Sequence, residues 1–363
     1  MTRYLPASVI LLVLSACSDK DNIPEVHEEP VVTCDQDPCW DETVYTCRDA
    51  HYIDLFTRST GWTGGDATYS VSLGEDRRVW LFGDSFIDQV NPNGSRPSFK
   101  LINNSLVLQE GDVLTTYHGG TPSNPEAFAK PPEAGDWYWP GDGTYVNGVL
   151  YLFMHGFAND TGGAWDFYRT SIDLIKVDPV SMEILSSERI IDNPDVSWGA
   201  AICEDTDYTY VYGVKSEGLS KQLYVSRTNA DLSDPWEYYS SGSWSTERNS
   251  ASAFLEGVSE QFSVFKSGNT YYLLTQHNLF GKEIYLLTST NPQGPFTNKR
   301  TVYCTPETEG NIFTYNACAH PDVYSDSLLV SYNVNSFDVQ DLLASADNYR
   351  PYFVRIGNWK TGK

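Results

Sequence analysis

The sequence predicts an all-β protein built as a five-bladed β-propeller. Three observations predict this fold: apolar and polar residues alternate with a period of two, turns rich in Gly, Asp and Asn recur at short intervals, and a hairpin pattern repeats five times. Units of four strands that recur in this way are typical of propeller blades. A β-sandwich also uses short alternating strands, but the Gly-Asp-x-Thr-Tyr pattern shared by residues 65–69 and 141–145 favours blades.

The N-terminal residues predict an exported protein. Arg3 precedes a short apolar run over residues 9–14, and Leu-Ser-Ala-Cys follows, ending at Cys17. This order is typical of a secretory signal over residues 1–16, and the run is too short to cross a bilayer. The residues Leu-Ser-Ala-Cys resemble the bacterial lipobox, in which the cysteine is lipidated. The alternative is an ordinary signal peptide with a coincidental cysteine. We therefore expect a lipoprotein of the outer membrane, exposed at the cell surface and anchored only by its N-terminal lipid.

Residues 17–46 predict a lipidated cysteine followed by a tether, because they are acidic and polar and contain too few apolar residues to fold. The acidic run directly after Cys17 resembles the export signal of surface lipoproteins in Bacteroidetes-type bacteria. The propeller is then predicted over residues 47–363 as one domain.

Six further cysteines predict disulfides, because an even number in an exported chain favours pairing. They are Cys34, Cys39, Cys47, Cys203, Cys304 and Cys318. Their spacing leaves the pairing open. Zinc is not expected, because the first three have no histidine at zinc-finger spacing.

The composition restricts the class of partner. A net charge of −24 repels a phosphate backbone, so we expect no nucleic-acid partner. Aromatic residues make up 14% of the chain, with 24 Tyr and 10 Trp. Most of them are expected in core and cross-strand packing, and the remainder suit the stacking of sugar rings. We expect a monomer that binds a polysaccharide or an oligosaccharide.

The five predicted hairpins each contain an inner strand, a turn and a second strand. Their turns lie at residues 74–76, 147–148, 205–207, 267–269 and 325–326. The fifth inner strand is predicted to begin at His320. That unit lacks one strand, and the segment over residues 52–56 is predicted to supply it and close the ring.

Asp66 and Asp84 are the candidate catalytic residues. They are equally distant along the chain from Glu75 in the first turn, so a tight hairpin would place their Cβ atoms about 5 Å apart. Two carboxylates this close raise one pKa, which gives an acid beside a base or nucleophile, the pair that glycoside hydrolysis uses. Aspartates that only cap turns are the alternative.

Other acids and aromatic residues are predicted at the same end of the central channel. They are Asp142, Glu260, His320, Trp62, Trp139 and Trp198. Acids beside aromatic platforms are typical of a sugar site. A structural calcium ion is the competing interpretation of clustered carboxylates, but no loop has the calcium-ligand spacing, so we expect no metal and no cofactor. Phosphate-binding glycine loops and serine-hydrolase elbows are absent from the sequence.

The pattern Trp62-Thr63-Gly64-Gly65-Asp66-Ala67-Thr68-Tyr69-Ser70-Val71, followed by Val79-Trp80-Leu81-Phe82-Gly83-Asp84-Ser85-Phe86, resembles a family of bacterial five-bladed propeller glycoside hydrolases. These were long catalogued as domains of unknown function. Some members are endo-D-arabinofuranases that degrade arabinogalactan and lipoarabinomannan. The resemblance implies that Asp66 and Asp84 are the catalytic aspartates, without assigning the acid, and the blade pattern extends over about residues 50–360.

Two functions remain open from the sequence. The first is a surface glycoside hydrolase, endo-acting on arabinofuranosyl linkages. The second is a non-catalytic glycan-binding lipoprotein of a polysaccharide-uptake system, which the aromatic content and the lipid anchor would also suit.

Overall fold

The computed structural model describes residues 44–160, 166–217, 220–233, 235–278 and 280–360. The predicted signal, Cys17, Cys34, Cys39 and most of the tether lie outside these residues. Within the described ranges, no helix has the length and apolar character needed to cross a membrane.

Five antiparallel sheets form the blades, and each blade runs from an inner strand to an outer strand. Blade 1 contains Thr60–Gly74, Arg77–Gln89, Ser105–Glu110 and Val113–Tyr117. Blade 2 contains Trp137–Val146, Val149–Asn159, Phe167–Val177 and Ile184–Asp192. Blade 3 contains Ser197–Glu204, Thr209–Glu217, Ser220–Thr228 and Glu237–Ser240. Blade 4 contains Phe262–Ser267, Thr270–Gln276, Glu283–Ser289 and Thr297–Cys304, and blade 5 contains Ile312–His320, Ser327–Ser336, Pro351–Gly357 and Tyr45–Arg48.

Short elements decorate the blades. Leu101–Ile102 pairs with the second strand of blade 1, Gly119–Thr121 pairs with Asn124–Glu126, and blade 3 also carries Ser243–Ser245 and Leu255–Glu256. Among the described residues, the α-helices are Ala50–Phe56 and Val339–Ala344, and the 3₁₀-helices are Arg248–Ser250 and Ala346–Tyr349.

The inner strands contact one another in a closed cycle. The inner strand of each blade lies against the inner strand of the next, and that of blade 5 returns to that of blade 1. A central channel follows from this arrangement, and the prediction of a five-bladed propeller is confirmed. Apolar clusters fill the space between neighbouring blades, so each blade buries both of its faces except at the rim.

The ring is closed by a different segment from the predicted one. Tyr45–Arg48 pairs with Pro351–Gly357 as the outer strand of blade 5, so Tyr45 and Thr46 belong to the propeller rather than to the tether. The segment over residues 52–56, predicted as this strand, lies in the helix Ala50–Phe56. Tyr52 and Phe56 are four residues apart, so a helix places both rings on one face, where both pack on Phe353 and Trp80.

The prediction that the fifth inner strand begins at His320 was also wrong. It runs from Ile312 to His320, so His320 ends the strand rather than beginning it. Its pairing with the second strand shifts between Tyr315 and Cys318, where Asn316 has a φ of 57°. This bulge interrupts the alternation of apolar and polar residues, and the strand was therefore not recognised from the sequence.

The cysteines pair only in part. Cys304 is disulfide-bonded, whereas Cys203 and Cys318 are buried free thiols. The prediction of a disulfide for these two was wrong. They lie on the inner strands of blades 3 and 5, which are not neighbours in the ring.

The carboxylate of Asp49 joins the closing strand, the first helix and blade 5. It is buried and accepts hydrogen bonds from the backbone N–H of Tyr52 at 3.0 Å, from the Tyr324 hydroxyl at 2.8 Å and from the Arg355 guanidinium at 3.1 Å. We expect Asp49→Ala to lower the free energy of unfolding by about 1–3 kcal/mol, since it removes a helix cap and leaves the buried N–H of Tyr52 without its acceptor. Urea unfolding measures this.

Asp54→Ala is the matched control, because Asp54 lies exposed on the same helix and its side chain caps nothing. It should change stability by less than about 0.5 kcal/mol. Equal losses in the two variants would contradict the role given to Asp49.

Candidate functional site

A cavity of about 600 Å³ opens at one end of the channel, where the first halves of the inner strands meet. All five blades contribute to it. Its aromatic, charged and polar side chains include Asp66, Tyr69, Asp84, Trp139, His155, Phe157, Phe167, Arg169, Lys221, Glu260, Gln261, Phe280, Phe313, Tyr315, Asn316, Asn335 and Tyr349.

A bulge in the inner strand of blade 1 directs Asp66 into this cavity. The pairing jumps from Gly65 opposite Ser85 to Ala67 opposite Phe82, so Asp66 faces the Gly83–Asp84 pair and not one partner residue. Ala67 and Thr68 have φ angles of 70° and 61°, a conformation that costs side-chain-bearing residues energy and is concentrated at functional sites. The expected simple hairpin register is replaced by this bulge, but both aspartates still reach the same cavity.

Gly83 makes the close approach of Asp66 possible. A Cβ atom on Gly83 would lie 2.5 Å from the Asp66 carboxylate oxygen Oδ1. Any side chain at this position would therefore displace the carboxylate.

The Asp66 carboxylate accepts several hydrogen bonds. Its Oδ2 accepts from the Tyr315 hydroxyl at 2.7 Å and the Tyr349 hydroxyl at 3.2 Å, and the Asn335 amide donates to the Tyr315 oxygen at 3.0 Å. The backbone N–H of Asp84 also donates to this carboxylate. Burial raises the pKa of Asp66, and the donors limit that rise because they favour the charged form.

Asp84 has fewer donors and a nearby negative charge. Its Oδ1 accepts from the indole N–H of Trp139 at 2.7 Å and from the Asn103 amide at 3.3 Å. Burial and the charge of Asp66 both raise the pKa of Asp84. Because more donors stabilise the charged form of Asp66, the hydrogen bonds favour a shared proton on Asp84.

A third carboxylate lies across the cavity and stays charged. Glu260 accepts from Arg169 at 3.1 Å and forms an ion pair with Lys221. Burial raises the pKa of Glu260, but the two cations outweigh it, so the pKa falls below its ordinary value. Nearby, His155 lies buried with Nε2 2.9 Å from the Trp198 carbonyl oxygen, and burial lowers the pKa of His155 to about 4, so it is neutral at neutral pH.

Two of the predicted tryptophans are structural. Trp62 is wholly buried, with its ring 4.4 Å from that of Phe82, and lies outside the cavity. Trp198 packs on Tyr238 at 5.2 Å, and only its backbone carbonyl reaches a residue of the cavity. Both were placed at the sugar site because of their neighbours in sequence, but alternation on their strands turns their side chains between the blades. Trp139 is the predicted tryptophan that the structure brings to the aspartates.

Asp142 and His320 also lie away from Asp66 and Asp84. Asp142 lines a second cavity of about 280 Å³ toward the other end of the channel, and the backbone N–H groups of Gly143 and Ile202 donate to its carboxylate at 2.8 Å. Burial raises the pKa of Asp142 to about 7. In blade 1 the two residues after Asp66 have left-handed backbone conformations, whereas the two residues after Asp142 in blade 2 do not. The repeated sequence therefore does not give Asp66 and Asp142 the same side-chain direction. His320 is buried between the Ser70 and Ser331 hydroxyls, at 2.7 and 2.9 Å.

Sequence reasoning missed the tyrosines and asparagines that surround the two aspartates. Tyr315 and Asn335 come from blade 5, and Tyr349 comes from the 3₁₀-helix before its third strand. No spacing in the sequence relates them to Asp66. Asn103 follows the short strand that pairs with blade 1, and the Asn103–Asn104 pair is a polar interruption that could have marked it.

Over the residues that the structure describes, no three His, Cys, Asp or Glu side chains are grouped so as to hold a metal ion.

Comparison with known families matches residues 49–359 to the domain of unknown function DUF5005. The chain belongs to this family. A comparison with curated proteins finds no match.

Solved structures with the same fold include a candidate hydrolase from Bacteroides ovatus, with 26% identity and a TM-score of 0.76 over 87% of this chain and 91% of that one. A protein of unknown function from Dyadobacter fermentans has 10% identity and a TM-score of 0.52, covering 87% and 100% of the two chains. A GH43_1 enzyme from Xanthomonas citri, solved with xylotriose, has 14% identity and a TM-score of 0.48, covering 85% and 93%.

The raised pKa of Asp84 also predicts an effect on stability. The unfolded chain releases this proton at lower pH than the folded protein, so ionised Asp84 destabilises the fold above its folded pKa, and the effect disappears below about pH 4. Asp84→Asn should therefore raise the Tm by at least about 2 °C at pH 8, and this gain should shrink toward pH 4.

Asp76→Asn is the control, because Asp76 is exposed in the first turn with a φ of 59° that Asn also accepts. It should leave the Tm unchanged at both pH values. Scanning calorimetry would contradict the argument if Asp84→Asn lowered the Tm at pH 8.

Proposed function

We propose that this protein is a glycoside hydrolase in which Asp84 is the general acid and Asp66 is the base or nucleophile. One observation supports this most directly: both carboxylates face one cavity, and their hydrogen bonds are unequal. Asp66 has two tyrosine hydroxyls and a backbone N–H that stabilise its charge. Asp84 has the charge of Asp66 beside it, which keeps its proton.

This division of roles matches what glycosidic bond cleavage requires. The leaving oxygen needs a proton, and the anomeric carbon needs either a carboxylate nucleophile or a water molecule deprotonated by a carboxylate. A carboxylic acid with a raised pKa stays protonated at the working pH and can supply that proton.

The substrate that we propose is a polysaccharide with arabinofuranosyl linkages, of the D-arabinan type, cleaved within the chain. The sequence pattern around Asp66 and Asp84 supports this choice. The candidate hydrolase from Bacteroides ovatus supports the broader class, and an open cavity of about 600 Å³ with aromatic walls suits sugar rings.

We also propose that Cys17 carries a lipid that anchors the enzyme in the outer membrane, where it is exposed at the cell surface. The lipobox-like residues before it support this. Metabolic labelling with a palmitate analogue tests the proposal, and an unlabelled protein in the soluble fraction would contradict it.

A panel of polysaccharides that includes D-arabinan and L-arabinan, read by product chromatography, tests the function. We expect oligosaccharides from D-arabinan. Binding without any shortening of a polysaccharide would instead favour the non-catalytic glycan-binding function.

Replacing either aspartate should abolish most of this activity. Asp66→Asn and Asp84→Asn should each lower kcat by about 10²–10⁴-fold, the usual contribution of a general acid or base. Asp142→Asn is the matched control, since Asp142 is also a buried carboxylate with a raised pKa but lines the other cavity. This control variant should keep at least about a third of the wild-type kcat, as expected for a residue that takes no part in the reaction. An active Asp66→Asn, Asp84→Asn double variant would refute the assignment.

The Tyr315 hydroxyl should set the acidic limb of the pH profile. Because it donates to Asp66 at 2.7 Å and favours the charged form, Tyr315→Phe should raise the pKa of Asp66. The acidic limb of kcat/KM should then move to higher pH by roughly 0.5–1 unit. Tyr145→Phe, at an exposed tyrosine of the other cavity, should leave the profile in place. A shift to lower pH would contradict the role of Asp66.

A further inference from the structure

Two groups of aromatic side chains lie at the cavity. The first wall consists of Trp139, Phe157 and Phe167, with ring centroids 4.7 to 5.6 Å apart. All three come from blade 2.

The second wall consists of Phe280, Phe313, Tyr315 and Phe337. Phe313 lies 4.3 Å from Phe280, 5.4 Å from Tyr315 and 4.4 Å from Phe337. This wall belongs to blade 5, apart from Phe280, which follows the second strand of blade 4.

One residue of each wall donates a hydrogen bond to a different carboxylate. In the first wall, the Trp139 indole N–H donates to Asp84 at 2.7 Å. In the second wall, the Tyr315 hydroxyl donates to Asp66 at 2.7 Å. The two sides of the site are therefore chemically distinct, although both offer flat apolar rings.

We infer that the first wall binds the part of the glycan that leaves, and that the second wall binds the part whose anomeric carbon is attacked. This inference rests on the proposed function. The acid must lie next to the glycosidic oxygen. This oxygen remains on the leaving sugar, so the leaving sugar lies on the side of Asp84. The anomeric carbon then faces Asp66.

The bond changes are consistent with this orientation. Asp84 transfers its proton to the glycosidic oxygen, the bond from that oxygen to the anomeric carbon breaks, and its electron pair remains on the oxygen. The new bond at the anomeric carbon comes from the Asp66 carboxylate, or from a water molecule whose proton Asp66 accepts. A proton is thus lost from Asp84 and, in the second case, gained by Asp66.

The second wall extends beyond the cavity. The Phe337 side chain is 58% exposed and is not part of the cavity lining, yet its ring packs on Phe280 and Phe313. An exposed ring that continues a binding wall provides surface for a sugar farther from the cleaved bond. Platforms on both sides of the acid pair suit a chain that passes through the site, as an internally cleaved polysaccharide does.

Two variants separate the two sides, and each has a matched control. Phe167→Ala shortens the first wall, and Tyr168→Ala alters the next residue, which is 50% exposed and lies outside the cavity. Phe337→Ala shortens the second wall, and Phe99→Ala removes a phenylalanine that is 48% exposed away from the cavity.

The substrates are D-arabinan and the fluoride of a D-arabinofuranosyl tetrasaccharide. Fluoride departs without protonation and occupies no sugar position on the leaving side. Hydrolysis of the fluoride therefore depends on the attacked side alone, whereas cleavage of D-arabinan depends on both.

We expect Phe167→Ala to lower kcat/KM about tenfold on D-arabinan and less than about twofold on the fluoride. Phe337→Ala should lower kcat/KM on both substrates by a similar factor, about fivefold or more. The controls should stay within about twofold on both.

The opposite pattern, with Phe337→Ala selective for D-arabinan and Phe167→Ala affecting both substrates, would overturn the orientation while leaving the hydrolase in place. Variants that equal their controls on an actively cleaved D-arabinan would also overturn it. A wild-type protein that acts on neither substrate would refute the proposed D-arabinan hydrolase itself, and with it this inference.

Discussion

The carboxylates of Asp66 and Asp84 share one cavity, where burial makes two adjacent negative charges costly. Much of the surrounding structure responds to this constraint. Tyrosine hydroxyls and a backbone N–H support the charge on Asp66, while Asp84 has one indole and one distant amide. Because the support is unequal, the pair holds one proton on a defined side. The proposed chemistry depends on this asymmetry more than on the presence of two aspartates.

Buried arginines hold the residues that create the asymmetry. The Arg350 side chain donates to the carbonyl oxygens of Thr63 and Arg58, at 3.0 and 2.7 Å. These bonds hold Arg350, and with it the neighbouring Tyr349, against blade 1. Arg96 donates to the same Thr63 carbonyl at 3.2 Å and pairs with Asp88, and both of these side chains are almost fully buried. A Cβ on Gly64 would lie 2.0 Å from the Tyr349 carbonyl oxygen. Blade 5 is thus locked against the bulged strand of blade 1. A buried ion pair contributes little net stability, but its loss would leave a charge unpaired, so the geometry is held firmly.

The propeller separates acidic residues that look equivalent along the chain. Asp66 and Asp142 occupy the same position of the Gly-Asp-x-Thr-Tyr repeat, yet they line different cavities along the channel. The difference comes from a few backbone torsions in blade 1, where Ala67 and Thr68 adopt left-handed conformations. Similar blades therefore provide the scaffold, and a local irregularity in one blade provides the site. Strained backbone of this kind persists because the blades around it are well packed.

The sequence by itself determined the features that depend on neighbours along the chain. Alternation and turns predicted the blades, and the position of the first turn placed Asp66 and Asp84 at the open end of one hairpin. Tertiary structure decided the rest. Tyr315 and Tyr349 reach Asp66 across separations of 249 and 283 residues, and no local pattern records such contacts. Likewise, Tyr45–Arg48 closes the ring and residues 50–56 form a helix, because the packing of Tyr52 and Phe56 between blades 1 and 5 outweighs their preference for strands. The same holds for the buried Trp62 and for the raised pKa of Asp84, since burial and the direction of a side chain are properties of the closed ring.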